Sequence, residues 1–160
     1  MTRFKLGTNL IFAGNRFVEP EEWSRICREE LDLDFVQFSA DVLDPSWPKS
    51  YIREYLERTR VSLKKYNLQV DSMFSGYFTR RHLFLHPDAG GRKLWFEWYK
   101  RLIKMGADIG ATSAGSHFGL WSRRYQSLDL RWKIPMRLVI FFSKCRQGFV
   151  RQCQLEIFRP

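Results

Sequence analysis

The chain has 160 residues, enough for one domain with a substantial core, and its composition is 44% hydrophobic and 16% aromatic. No run approaches the roughly 18 to 20 apolar residues that span a bilayer. The opening MTRFKLGTNLIFAG lacks the apolar core and small-residue cleavage site of a secretory leader, so a cytoplasmic protein without a membrane partner is expected. The net charge of +10 suggests nucleic acid at first sight, but it is unevenly spread. Of 27 Lys and Arg, 18 lie in residues 1–120 together with 15 of the 17 Asp and Glu, so the excess belongs mostly to residues 121–160. Cys27, Cys145 and Cys153 have neither zinc-site spacing nor an even count and read as free thiols.

Taken in order, Phe4 to Ala13 predicts a first strand, with Gly14 and Asn15 turning after it. Pro20 suits the first turn of a helix, where Glu21 and Glu22 meet the positive end of the helix dipole. Trp23, Ile26, Cys27 and Leu31 form its apolar stripe. Phe35 to Ser39 is a compact second strand, closed by Asp41, Asp44, Pro45 and Pro48. Tyr51 to Tyr66 predicts the clearest helix, with Ile52, Tyr55, Leu56, Thr59 and Leu63 on one face and Asn67 ending it. Leu68 to Phe74 predicts a third strand, and a longer loop through His82 follows.

From His86 to Gly119 the pattern is loop, helix, stop and strand. Leu94, Trp95, Trp98, Leu102 and Met105 recur at helical spacing, and the Trp95/Trp98 pair reads as packing. Gly106 stands where a left-handed C-terminal cap is expected. Ile109 to Gly115 reads as a buried strand that turns polar at Ser116 and His117. Alternation of strands and helices argues for a parallel sheet. In such folds ligands are handled at the carboxyl ends of the strands. No G-x-G-x-x-G, P-loop or G-x-S-x-G motif occurs, which removes the usual dinucleotide, phosphate-loop and hydrolase signatures.

Three stretches carry a family resemblance: KLGTNLIFAGNRFVEPEEW, VQFSADVLDP, and DSMFSGYF…LFLHPD…GRKLWFEWYKRLIKMGADIGATSAGSHFG. They resemble bacterial sugar-phosphate isomerases and epimerases of the xylose-isomerase-like barrel superfamily. The nearest likeness is to the branch of the erythrulose-1-phosphate 3-epimerases. The resemblance implies an α/β fold over residues 1–120: a partial (β/α)8 TIM barrel of about four parallel strands with helices on the outside. It implies a sugar or sugar phosphate as small-molecule partner and enediolate proton transfer assisted by a divalent metal (Mn, Co, Mg or Zn). As the family is known, its metal ligands and its acid and base carboxylates come from the last four strands. None of those positions falls in the matching stretch, so no catalytic and no metal-binding residue is assigned, and the chain alone is expected to bind no metal and to be inactive.

What remains is the substrate side. Asn9, Gln37, Ser39 and Ser72 are the polar residues of the matching strands that could face the barrel mouth, with burial in a barrel layer as the plain alternative for Gln37 and Ser39. His117 resembles the family histidine that ends the fourth strand; the alternative is a histidine satisfying a loop carbonyl. His86 and Arg92 flank the start of a helix and could hold an anion there. Residues 121–160 follow no family pattern and are expected to be a basic tail, possible product of a frameshift near residue 121 in a truncated gene. The rival readings are a nucleic-acid-binding module built on that tail and a non-catalytic fragment that forms a homo-oligomer, since half a barrel leaves sheet edges open.

Overall fold

A computed structural model of the protein describes residues 6–76, 84 and 86–116. Four strands lie in one sheet in the order β1 (Gly7–Asn9), β2 (Phe35–Ser39), β3 (Gln69–Phe74) and β4 (Ser113–Gly115). All three pairings are parallel. Helices α1 (Pro20–Arg25), α2 (Lys49–Lys65) and α3 (Ala89–Asp108) occupy the connections. This is the expected α/β order, four parallel strands in one sheet with helices in the connections.

Hydrophobic burial puts the helices on one face of the sheet only. Val36 and Phe38 of β2, Val70 and Met73 of β3 and Ala114 of β4 join a single core with Trp23, Tyr55, Leu56, Leu63, Trp98, Leu102 and Met105 of the helices. Because side chains alternate along a strand, Gln37 and Ser39 are left for the opposite, inner face. No helix among the described residues is long and apolar enough to cross a membrane.

The helix ends follow from their chemistry. In α2, Asn67 takes φ +50°, the Leu68 N–H bonds Leu63 O at 2.9 Å and the Asn67 N–H bonds Lys64 O. That pair of bonds is the Schellman closure, and Asn tolerates its left-handed residue. In α3 the same closure uses Gly110, at φ +86°, with the Ala111 N–H on Gly106 O at 2.9 Å. Gly106 is therefore inside the helix and not its cap, which corrects the sequence reading. Its lack of a side chain serves close packing: a Cβ there would lie 2.2 Å from Met73 Cγ on β3.

Other expectations change as well: the fourth strand is confined to Ser113–Gly115, with Ile109 ending α3, and Leu94 is 74% exposed. The first strand is only three residues long, because Asn9 caps a 3-10 turn over Leu10–Ala13 by accepting the Ile11 N–H. The helix after Pro20 continues as a π turn over Ile26–Glu30, with the Leu31 N–H on Ile26 O. The wider turn rotates the residues after it out of phase with Trp23 and Cys27. Leu31, placed on the apolar stripe by a strict helical period, is consequently 49% exposed.

Candidate functional site

Register and one irregularity build the inner face. Asn9 pairs with Gln37, Gln37 with Ser72 and Ser72 with Ser113, so one residue from each strand stands in a single row across the sheet. The row depends on a bulge: Val36 pairs with Val70, yet Gln37 pairs with Ser72, leaving Asp71 as the extra residue of β3. Without it Ser72 would share the core-facing side with Val70. With it, Val70 and Met73 both point into the core and Ser72 joins the inner face.

Three residues of the row are hydrogen-bonded in series. Asn9 Nδ2 donates to Gln37 Oε1 at 2.5 Å, and Gln37 Nε2 donates to Ser72 Oγ at 3.0 Å. All three are half-buried and line a concavity of about 280 Å3 with Gly7, Phe35 and Asp71. One rung further toward the carboxyl ends, the buried Ser39 hydroxyl donates to Asp41 Oδ2 at 2.5 Å. The Asp41 carboxylate lies beneath Gly76, where a Cβ would come within 2.3 Å of Oδ2 and where φ is +69°. Asp41 thus stands where the segments after β1, β2 and β3 converge, since Gly14 is also packed against its backbone.

His86 and Arg92 sit at the start of α3 and are tied to each other. Arg92 Nη1 donates to His86 O at 2.7 Å and to Pro87 O at 3.1 Å, while His86 Nδ1 accepts the Asp88 N–H at 3.1 Å. The acceptor at that helix end is Asp88 Oδ1, which takes the Gly91 N–H at 2.8 Å. No hydrogen bond among the described residues joins this group to the inner-face row. Trp98 is buried as expected, and it also ties two elements together. Its Nε1 donates to Asp44 Oδ1 at 2.9 Å, fastening α3 to the loop after β2. His117, the loop through His82, Cys145, Cys153 and the tail over 121–160 lie outside the described residues.

Of the polar strand residues expected at the barrel mouth, the structure brings Asn9, Gln37 and Ser72 into one row, and it adds Ser113 and Asp41, which the sequence does not single out. Ser113 reads only as a small residue in an apolar strand, and its place in the row follows from pairing with Ser72. Asp41 reads as a loop residue; the only signal in the chain is that two glycines, Gly14 and Gly76, are needed to make room for it. Cys27, the one described cysteine, is buried and its thiol is pushed up to about 11 by that burial, which suits a packing role. Among the described residues, no three of His, Cys, Asp and Glu stand close enough to hold a divalent cation.

No family model matches the chain. It is 29% identical over 115 residues to the D-erythrulose 1-phosphate 3-epimerase of Brucella abortus, which covers 72% of this chain and 36% of that enzyme. A candidate xylose isomerase from Rhodospirillum rubrum, solved as a crystal structure, superposes with a TM-score of 0.71 at 31% identity, covering 76% of this chain and 42% of that one. A xylose-isomerase-like TIM-barrel protein of Mycobacterium smegmatis, solved in complex with magnesium, shares the fold at a TM-score of 0.50 and 17% identity, with 79% and 42% covered. The chain therefore spans about two fifths of the length of the proteins it matches. Over that span, the likeness is to the xylose-isomerase-like barrels, with an erythrulose-phosphate epimerase as homologue, and the four parallel strands of this chain are part of such a barrel.

Proposed function

We propose that residues 6–116 are the substrate-side part of a sugar or sugar-phosphate isomerase or epimerase. The inner-face row of Asn9, Gln37 and Ser72 would hold hydroxyl or carbonyl oxygens of a ketose phosphate. His86, Arg92 and His117 remain further substrate contacts in this reading; Ser39, fully buried with its hydroxyl given to Asp41, packs beneath the row. The observation that carries it is the row itself, three polar side chains hydrogen-bonded in series on the concave face of a barrel sheet. An apolar filling would be the natural choice there if the face served packing alone. The likeness to an epimerase of a four-carbon ketose phosphate supports the substrate class.

The described residues offer no ligand set for a divalent cation, so no step of this proposal runs through one. Binding without turnover is the role assigned to residues 6–116, because the resemblance puts the proton-transfer carboxylates on strands outside the matching stretch.

Saturation-transfer NMR of the full chain with D-erythrulose 1-phosphate tests the assignment, followed by chromatography of the recovered sugar. Signal transfer to the ligand with no epimer formed is expected. Absence of transfer at millimolar ligand refutes the binding role, and epimer formed by the chain alone refutes its restriction to binding.

A further inference from the structure

The hydrogen bonds of the inner-face row run in one direction only, and the direction is fixed from one end. The Ile11 backbone N–H can only donate, so the Asn9 side-chain atom facing it at 2.7 Å is the oxygen Oδ1. The Asn9 atom facing Gln37 is then the NH2 group, which requires Gln37 to present Oε1. Gln37 is left with its NH2 group toward Ser72, so Ser72 Oγ accepts. A hydroxyl that accepts one bond keeps its own hydrogen to give, and no acceptor for it occurs among the described residues.

From this polarity we infer that the row is a donor surface, selecting ligands by their acceptor oxygens. Both amide oxygens already hold a hydrogen. The second Nδ2 hydrogen of Asn9, the second Nε2 hydrogen of Gln37 and the Ser72 hydroxyl hydrogen are the ones left to give. The group recognised is an oxygen rich in lone pairs, the carbonyl or phosphate oxygen of a small polar molecule. Ser72 is the determinant, and Gln37 is a positioning residue that keeps the Ser72 hydrogen outward. The inference rests on the binding role proposed above and adds the identity of the recognised atom.

Two substitutions of nearly unchanged size test the direction. Ser72→Ala removes the hydroxyl. Gln37→Glu keeps the shape but replaces the donor toward Ser72 with an acceptor, so the Ser72 hydrogen turns inward. Dissociation constants are measured by two-dimensional NMR titration of the full chain, whose amide spectrum also reports that each variant is folded. The probes are D-erythrulose 1-phosphate, unphosphorylated D-erythrulose and inorganic phosphate. Loss of one hydrogen bond corresponds to about a fivefold rise in Kd, expected for both variants with whichever probe supplies the oxygen. The phosphate-free sugar removes charge repulsion from the Gln37→Glu comparison. Sensitivity of inorganic phosphate alone assigns the oxygen to phosphate; sensitivity of D-erythrulose alone assigns it to the sugar. A wild-type chain that binds none of the probes overturns the binding role. A wild-type chain that binds while Ser72→Ala binds equally well overturns this inference and leaves the binding role standing.

Discussion

Replacing Gly106 by alanine sets two opposed effects against each other. In an exposed helix the change stabilises by about 1 kcal/mol, because alanine loses less backbone freedom on folding. Here the new methyl would sit 2.2 Å from Met73 Cγ and 3.3 Å from its sulfur. Met73 is fully buried, so the methyl is accommodated only if Met73 leaves its rotamer or α3 lifts from β3. Overpacking of that kind costs about 1–3 kcal/mol, which outweighs the gain and leaves Gly106→Ala destabilised by about 1 kcal/mol. The companion variant Met73→Ala loses about 2–5 kcal/mol by itself. In that background the added methyl meets only the Cβ of residue 73, at an ordinary contact distance of 3.4 Å, and Gly106→Ala becomes stabilising. Urea unfolding followed by far-UV circular dichroism yields the four values of the cycle. Gly106→Ala that stabilises the wild-type background, or a cycle with no coupling, refutes the view that close approach of α3 to the sheet is what keeps a glycine at this position.

Three further outcomes follow from single contacts. Asp88→Ala removes the acceptor of the Gly91 N–H at the start of α3 and should cost about 1 kcal/mol in the same unfolding assay, with Asp88→Ser recovering most of it. Tyr55→Phe strands the Trp23 Nε1–H and the Val18 carbonyl, both bonded to the Tyr55 hydroxyl. Water can reach Val18, which is 45% exposed, so the loss should fall near the low end of about 1–3 kcal/mol. Alkaline pH should weaken the fold: burial pushes the Cys27 thiol from 9.0 up to about 11 and the Tyr99 phenol from 10.0 up to about 12. The unfolded chain releases these protons first, so the stability they supply is complete below about pH 9 and declines as pH rises toward 11. Thermal melts of wild type and Cys27→Ala between pH 8 and 11 should converge as pH rises; parallel curves would show that the thiol is not buried in the folded chain.

How much of this was legible in the chain depends on the range of the signal. Helix α2 could be read because its stripe, its basic last turn and Asn67 all lie within one short segment. The polar inner face was legible as composition, since Gln37 interrupts an apolar strand. Its pairing was not, because the partners of Gln37 stand 28 residues before it and 35 after it. The bulge that seats Ser72 in the row has no marker, neither glycine nor proline, and strict alternation would turn Ser72 toward the core. The π turn that exposes Leu31 is equally silent, since Ile26 to Glu30 contains ordinary helix-forming side chains.

The bulge also decides the chemistry of the row. Were β3 in simple register, Asp71 in place of Ser72 would stand opposite Gln37. Gln37 Nε2 would then donate to a carboxylate, and the series would end in a negative charge with no hydrogen to give. An acceptor oxygen approaching that end of the row would find no hydrogen, whereas the hydroxyl at Ser72 offers one. The one-residue slip between Val36 and Gln37 therefore converts the end of the row from an acid into a donor. It leaves Asp71 exposed on the wall of the concavity, out of the hydrogen-bonded series.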